Sequence, residues 1–295
     1  MQKINLKFLL LYIFLTFFSC AQKPSVRFIL ETNLAENEIA IKSEVIEILK
    51  ARLKKIGFRN SVVAPVKHSS HIVVEVNANG DLENIRELLL RKGELKIVPV
   101  FGFGEDELNA FKDTLGRKNA SIEDYLSKPM LKFSKFGIHL TQGNDTSAII
   151  QELKKNGILD LLPKNSKLIW QEPNGFINQY SLMILDASEA QMFYGVSETN
   201  VYYDTYAPVI DFEFREKDIE IWSEMTKDNI GNQLAILIDD EFISTPVVQQ
   251  QITEGNCDIS GSFTVEEFER IASLLKSKPL PVKLDLLSES IIEEK

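Results

Sequence analysis

The side chains that could do chemistry are few in this chain of 295 residues. Its three histidines are His68, His71 and His139. His68 and His71 flank an expected turn between two strands, a spacing that can contribute to a metal site. A tetrahedral site needs four ligands, however, and neither a cysteine nor a carboxylate cluster lies near them in the sequence. His139 stands alone. No metal is therefore expected. Carboxylates are paired at Asp239-Asp240-Glu241 and at Glu266-Glu267. The first group falls where a turn is expected, and acidic residues suit turns. The second falls in the first turn of an expected helix, where negative charge complements the helix dipole. No Gly-x-Ser-x-Gly elbow is present and no nucleophile has an evident base beside it, so no catalytic residue is assigned and the chain is not expected to be an enzyme. Gly102 and Gly104 imitate the start of a dinucleotide loop, but Glu105, Asp106 and Glu107 follow and would repel a pyrophosphate. No cofactor is expected.

The two cysteines point to an address rather than to chemistry. Lys3 and Lys7 precede an apolar run from Phe8 to Phe18 that ends at Ser19-Cys20. A basic start, a short apolar run and a small residue before the cut describe a secretory signal. Cys20 directly after that small residue is similar to a bacterial lipoprotein signal, which implies removal of residues 1–19 and a lipid on Cys20. Phe17 and Phe18 depart from the leucine and small residue that a strict lipobox prefers. An uncleaved anchor helix is the alternative, although the run is shorter than the roughly 17 residues that span a bilayer. Either way the remainder is expected on the periplasmic side of a bacterial membrane. With Cys20 acylated, Cys257 has no partner, and free cysteine is commonly a small buried residue.

Composition fits a folded ectodomain. Hydrophobic residues make up 44% and charged residues 26%, enough to bury a core and avoid disorder. The net charge of −10 argues against nucleic acid, which needs a basic face, and against electrostatic docking on anionic lipid.

Periodicity divides the chain into three parts. Over 25–100, Val26, Phe28 and Leu30 alternate as a strand, and Ile41, Val45, Ile48, Leu49, Leu53 and Ile56 recur at helical spacing. Strands are expected at Ser61–Val66, His71–Val76 and Leu95–Val100, and a helix carries Leu82, Ile85, Leu88 and Leu89. The order βαββαβ predicts a ferredoxin-like base. Residues 101–180 form an insertion or linker lobe, with helices expected at Glu105–Leu115 and Thr146–Asn156 and a strand at Lys167–Gln171. A second α+β lobe is expected over 181–284, followed by a polar tail at 285–295. In that lobe Leu182–Leu185 and Val209–Phe214 are strands, and Glu216–Ile230 is a helix. Leu234–Ile238 is an apolar strand suited to cover on both faces, and Asp239-Asp240 turns it into an extended Phe242–Val248. Thr264 caps a last helix with Glu267 three residues on, and Pro279 ends it.

Three blocks of this lobe occur in order: the turn followed by Phe242-Ile243-Ser244-Thr245-Pro246-Val247-Val248, then Ile259-Ser260-Gly261-Ser262-Phe263-Thr264-Val265-Glu266-Glu267, then Leu274-Leu275-Lys276-Ser277-Lys278-Pro279-Leu280-Pro281. Together they resemble the extracytoplasmic first domain of SecD, a subunit of the SecDF protein-translocation complex. The resemblance implies that 25–100 is its base, that 181–284 is its head, and that 101–180 has no counterpart. In that family the domain leads into transmembrane helices whose buried acidic residues couple proton flow to export. No run of about 18 apolar residues follows residue 20, so this chain is expected to stand without the motor.

The same resemblance implies contact with emerging, unfolded polypeptide. Phe242, Ile243, Pro246 and Val247 are the candidate contacts: apolar residues in an extended segment can cover a core, or can line a groove that accepts a peptide by strand addition. The expected function is an accessory of protein export with Sec translocon components as possible partners. The alternatives are a lipoprotein docking module for another envelope complex, or a hydrolase using the middle lobe.

Overall fold

The computed structural model describes residues 25–35, 38–77, 82–102, 131–134, 137–140, 146–155, 157, 159–171, 180–203, 208–261 and 263–292. The signal segment 1–19, Cys20 and the helix expected at Glu105–Leu115 lie outside them.

The N-terminal unit is built as its periodicity predicts. Strand β1 (Ser25–Glu31), helix α1 (Ile39–Lys55), strands β2 (Val62–Pro65) and β3 (His71–Asn77) and helix α2 (Leu82–Leu90) follow in order. Strand β3 lies between β1 and β2, antiparallel to both. Val26, Phe28, Leu30, Ile72, Val74 and Val76 share one face and are buried, as period-2 alternation requires of a sheet covered on one side.

The fourth place in this sheet is filled from the far end of the chain. Strand β4 (Leu95–Pro99) leaves it, and β15 (Asp285–Ile292) pairs antiparallel with β1 instead. The sheet order β15-β1-β3-β2 keeps the ferredoxin-like arrangement, but its last strand is the segment expected to be a polar tail. The reason lies in burial. Leu95, Ile97 and Val98 of β4 are all buried, on both faces, which suits a central strand. Strand β15 is amphipathic at best, and Arg86 of α2 holds it by an ion pair to Glu289 at 2.9 Å.

Between these ends sit two further layers. Strands β5 (Leu131–Ser134), β6 (Gly137–Leu140), β7 (Ser166–Gln171) and β8 (Tyr180–Asp186) form a sheet of order β5-β6-β8-β7, with helix α3 (Thr146–Lys155) beside it in sequence. Strand β8 was expected to open the last lobe, yet it pairs with β6 and β7. Its run of five buried residues, Ser181 to Leu185, is what a strand between two neighbours and under a second layer needs.

The remaining elements are β9 (Gln191–Phe193), β10 (Val196–Tyr203), β11 (Pro208–Phe214), α4 (Glu216–Asp228), β12 (Leu234–Ile238), β13 (Glu241–Ser244), β14 (Asn256–Ser260) and α5 (Val265–Lys276). They form two sheets, β10-β11-β14 and β13-β12-β4-β9, where periodicity suggested one. Strand β12 divides two cores: Leu234, Ile236 and Ile238 face the large one, and Ala235 and Leu237 face a smaller one with Val98, Val100, Met183 and Leu185.

Helix α5 ties the ends together. Its capping box is complete, with Glu267 N donating to Thr264 Oγ1 at 3.2 Å and Thr264 N donating to Glu267 Oε2 at 2.8 Å. Residues 271–275 are buried without interruption, which a helix packed on one face cannot achieve. It touches α1 and α2 as well as β10 and β11, so one continuous core runs from Phe28 in β1 to Phe212 in β11.

Candidate functional site along the edge of strand β14

The β10-β11-β14 sheet is covered on one face only. Ile210, Phe212 and Phe214 of β11 turn inward and are buried, with Phe214 packed against Trp222 of α4 at a 5.0 Å centroid distance. Asp211 and Glu213 turn outward. Directly opposite residues share a face, so register places Cys257 and Ile259 inside with Phe212 and Ile210, and Asp258 outside with Asp211.

Strand β14 forms one border of this sheet, and its backbone parity can be read. Phe214 N donates to Gly255 O at 2.9 Å. Antiparallel pairs alternate between bonded and non-bonded types, so Cys257 and Ile259 direct their amides to β11 while Asn256, Asp258 and Ser260 direct theirs away. Trp222 Nε1 reaches Asn256 O from that outer side at 3.1 Å. Among the described residues no other strand pairs with β14.

Opposite this edge the chain from Pro246 to Glu254 runs as a second wall. Ile252 N donates to Thr226 Oγ1 at 3.0 Å and Gln251 Nε2 to Ser223 Oγ at 2.8 Å, which pins the wall to α4. The cleft between has a volume of about 690 Å³ and is also lined by Tyr202, Asp211 and Trp222. It is open and mixed in character, with apolar Val247 and Val248 near glutamines 249–251. Gly255, just before β14, has φ +85, and a Cβ there would lie 3.0 Å from Ile219 Cγ1.

The four residues singled out by sequence fall in different places. Ile243 is 8% exposed and belongs to the large core. Phe242 is half-buried against the smaller core. Pro246 and Val247 line the cleft, and Val247 is 39% exposed. Alternation along a strand explains the split: Phe242 and Ile243 are neighbours in β13 and must face opposite sides.

The outer face carries charge. Asn200, Asp211 and Asp258 stand in one row across the three strands. Burial, and then the adjacent charge of Asp211 and a hydrogen bond with it, push the Asp258 carboxyl above its ordinary value. Cys257 beneath is a free, buried thiol whose pKa is pushed up by burial, then by Asp258 and Asp211; it is inert in this state. Among the described residues, no three His, Cys, Asp or Glu side chains converge as a metal site. His68 sits at a positive φ of 54 in the β2–β3 turn, which is a conformational role.

Two features of the frame add to the sequence reading, one an expected turn whose geometry was not read and the other not foreseen at all. The Asp239-Asp240 turn has both residues at positive φ, 54 and 65, the geometry of a type I′ hairpin. Asp239 offsets its strain by accepting from Gly93 N at 2.9 Å and Glu94 N at 2.8 Å. Asp240 receives Lys167 at 2.8 Å and Lys96 at 2.7 Å, which hold its carboxyl below the ordinary range. The other is Arg52 on α1, fully buried. It donates to Leu88 O in the last turn of α2, to Arg91 O and Lys92 O beyond that helix, and to Ser277 Oγ past the end of α5. Burial lowers its pKa to about 10. Its helical spacing with Ile48 and Leu49 placed it on the inner face, and that was the available signal.

Comparison with known proteins accords with this architecture. The family model described as the SecDF P1 head subdomain matches residues 194–282. The protein translocase subunit SecD of Sebaldella termitidis is 34% identical over 136 residues, covering 46% of this chain and 32% of that protein. SecD of Rickettsia typhi is 26% identical over 270 residues, covering 87% and 49%. A crystal structure of SecDF in a super-membrane-facing form superposes with a TM-score of 0.57 at 18% identity, over 96% of this chain and 33% of that one. A second structure, of a membrane component SecDF that enhances protein export, gives 0.52 at 19% identity, over 89% and 98%. The chain thus spans about a third to a half of the length of these curated relatives. Among the described residues no helix is long and apolar enough to cross a membrane. The chain is similar to the translocase subunit SecD, and its residues 194–282 match the SecDF P1 head subdomain.

Proposed function

We propose that this protein is an extracytoplasmic accessory of protein export that holds extended polypeptide along the edge of β14. The observation that carries the reading is the border of β14, which no other described strand pairs with, beside an open cleft, with the amides of Asn256, Asp258 and Ser260 directed outward along it. Such an edge gives main-chain hydrogen bonds to any sequence, and shallow apolar contacts from Pro246 and Val247 add affinity without demanding particular side chains. Kinship with SecD supports a place in export and an association with Sec translocon components. In the same reading Cys20 carries a lipid that holds the protein at the periplasmic face of a membrane.

The test is a fluorescence-anisotropy titration of the full chain, in mild detergent, with a labelled secretory protein kept reduced and unfolded. Saturable binding is expected, weakened several-fold by Val247→Asp at unchanged melting temperature. Alternate N-methylation of a bound peptide's backbone should abolish binding, since it removes the donors that pair with an edge. Absence of binding at about tens of micromolar, or indifference to N-methylation, overturns the reading.

A further inference from the structure

The two faces that a docked strand would present meet different surroundings, and this bears on what docks. A strand added to β14 sends alternate side chains to the outer and inner sides of the sheet. On the outer side it would lie beside Asp258, with Asp211 directly behind in register and Glu254 on the opposite wall. Among the described residues no lysine, arginine or histidine lines the cleft. Toward the inner side it would meet the exposed Val247, with Trp222 and Val248 buried beneath.

The Asp211–Asp258 pair is costly in the empty protein. Two carboxylates side by side repel, and neither has a cationic partner among the described ion pairs. Burial first, and the adjacent Asp211 second, raise the Asp258 pKa. Elsewhere the protein does not leave turn carboxylates in this condition: Asp240 has two lysines and Asp239 has two backbone amides and Arg91. A cation arriving from a ligand would relieve the pair, and charge complementarity of this kind discriminates between partners by penalising like charge.

We infer that the β14 cleft selects extended polypeptide segments in which cationic residues alternate with apolar ones, the cations seated over Asp211 and Asp258 and the apolar side chains against Val247. This selectivity rests on the strand-addition reading above. It adds a preference that the backbone contacts alone do not supply, and it disfavours acidic segments of equal hydrophobicity.

Three labelled nine-residue peptides separate the possibilities: alternating Val-Lys, Val-Thr and Val-Glu, titrated against the full chain at low salt. The Val-Lys peptide should bind at least about tenfold more tightly than Val-Glu, with Val-Thr between them. The ratio should shrink as salt is raised, because the contribution is screened. It should also fall toward one in the Asp211→Asn/Asp258→Asn double variant. Glu254→Gln, in the exposed wall, gives a smaller drop in the ratio and serves if the double variant does not fold. Equal affinity for all three peptides refutes the selectivity and leaves strand addition standing. Failure of all three to bind refutes the docking site itself.

Discussion

Arg52 and Ser277 lie 225 residues apart in sequence and meet in the interior, the guanidinium Nε donating to the hydroxyl at 3.0 Å. That contact joins helix α1 to the end of α5, the helix packed against β10 and β11. Around it Ser273 Oγ donates to Arg52 O at 3.3 Å, so the two helices are tied in both directions. The N-terminal sheet and the β10-β11-β14 sheet are held together by a hydrogen-bonded arginine as well as by a shared apolar core.

Removing that guanidinium strands several buried acceptors at once. Arg52→Met should cost about 3 kcal/mol or more in urea unfolding, since each unsatisfied acceptor carries its own desolvation penalty. Arg52→Lys should not rescue it, because an ammonium lacks the planar fork that reaches four oxygens. Stability within about 0.5 kcal/mol of the parent would show that the network is dispensable.

The C-terminal strand is predicted to be indispensable. Deleting Asp285–Ile292 leaves β1 with a bare edge and removes the Arg86–Glu289 pair. The truncated chain should lose its cooperative thermal transition and bind dyes that detect exposed apolar surface. An unchanged melting curve would mean that β15 decorates the sheet rather than completing it.

How much was legible follows from these elements. The alternation of Val26, Phe28 and Leu30 and the 3.6-residue spacing of Ile41 to Ile56 were strong because each element buries one clean face. The capping box at Thr264 was readable because it is local. Strand β15 was not, because Leu286-Leu287 and Ile291-Ile292 bracket Ser288-Glu289-Ser290 without alternation, and its partner lies at the other end of the chain. Strand β10 was hidden by the register shift between Val196 and Glu198. For the site, the segment Pro246-Val247 was visible as apolar and extended. The open edge of β14 and the Asp211–Asp258 row were not, since both depend on pairings that no local pattern encodes.

The acidic row should leave a signature in stability against pH. The Asp258 pKa is raised above 3.8 in the folded state, so the native protein binds the proton more tightly than the unfolded chain. Its contribution favours folding at or below that ordinary value and is lost as pH rises through the raised one. Asp258→Asn should therefore raise the melting temperature at pH 7, with the gain disappearing near pH 4 and below. A gain that is the same at both pH values would show that the Asp258 carboxyl is not displaced in the folded state.

Cys257 provides a reporter of intactness. Buried, and with its thiol pKa pushed up, it should resist alkylation by iodoacetamide at pH 8 and react at once in denaturant. Rapid labelling of the native protein at this position would contradict the packed inner face of β14.

The most direct test of the central claim is residue-resolved amide hydrogen exchange of β14 with and without a saturating unfolded polypeptide. Strand addition predicts that the outward amides of Asn256, Asp258 and Ser260 exchange fast alone and become protected when polypeptide is bound, while those of Cys257 and Ile259 are protected in both states. Protection that is unchanged at Asp258 and Ser260 in the bound state would contradict the account.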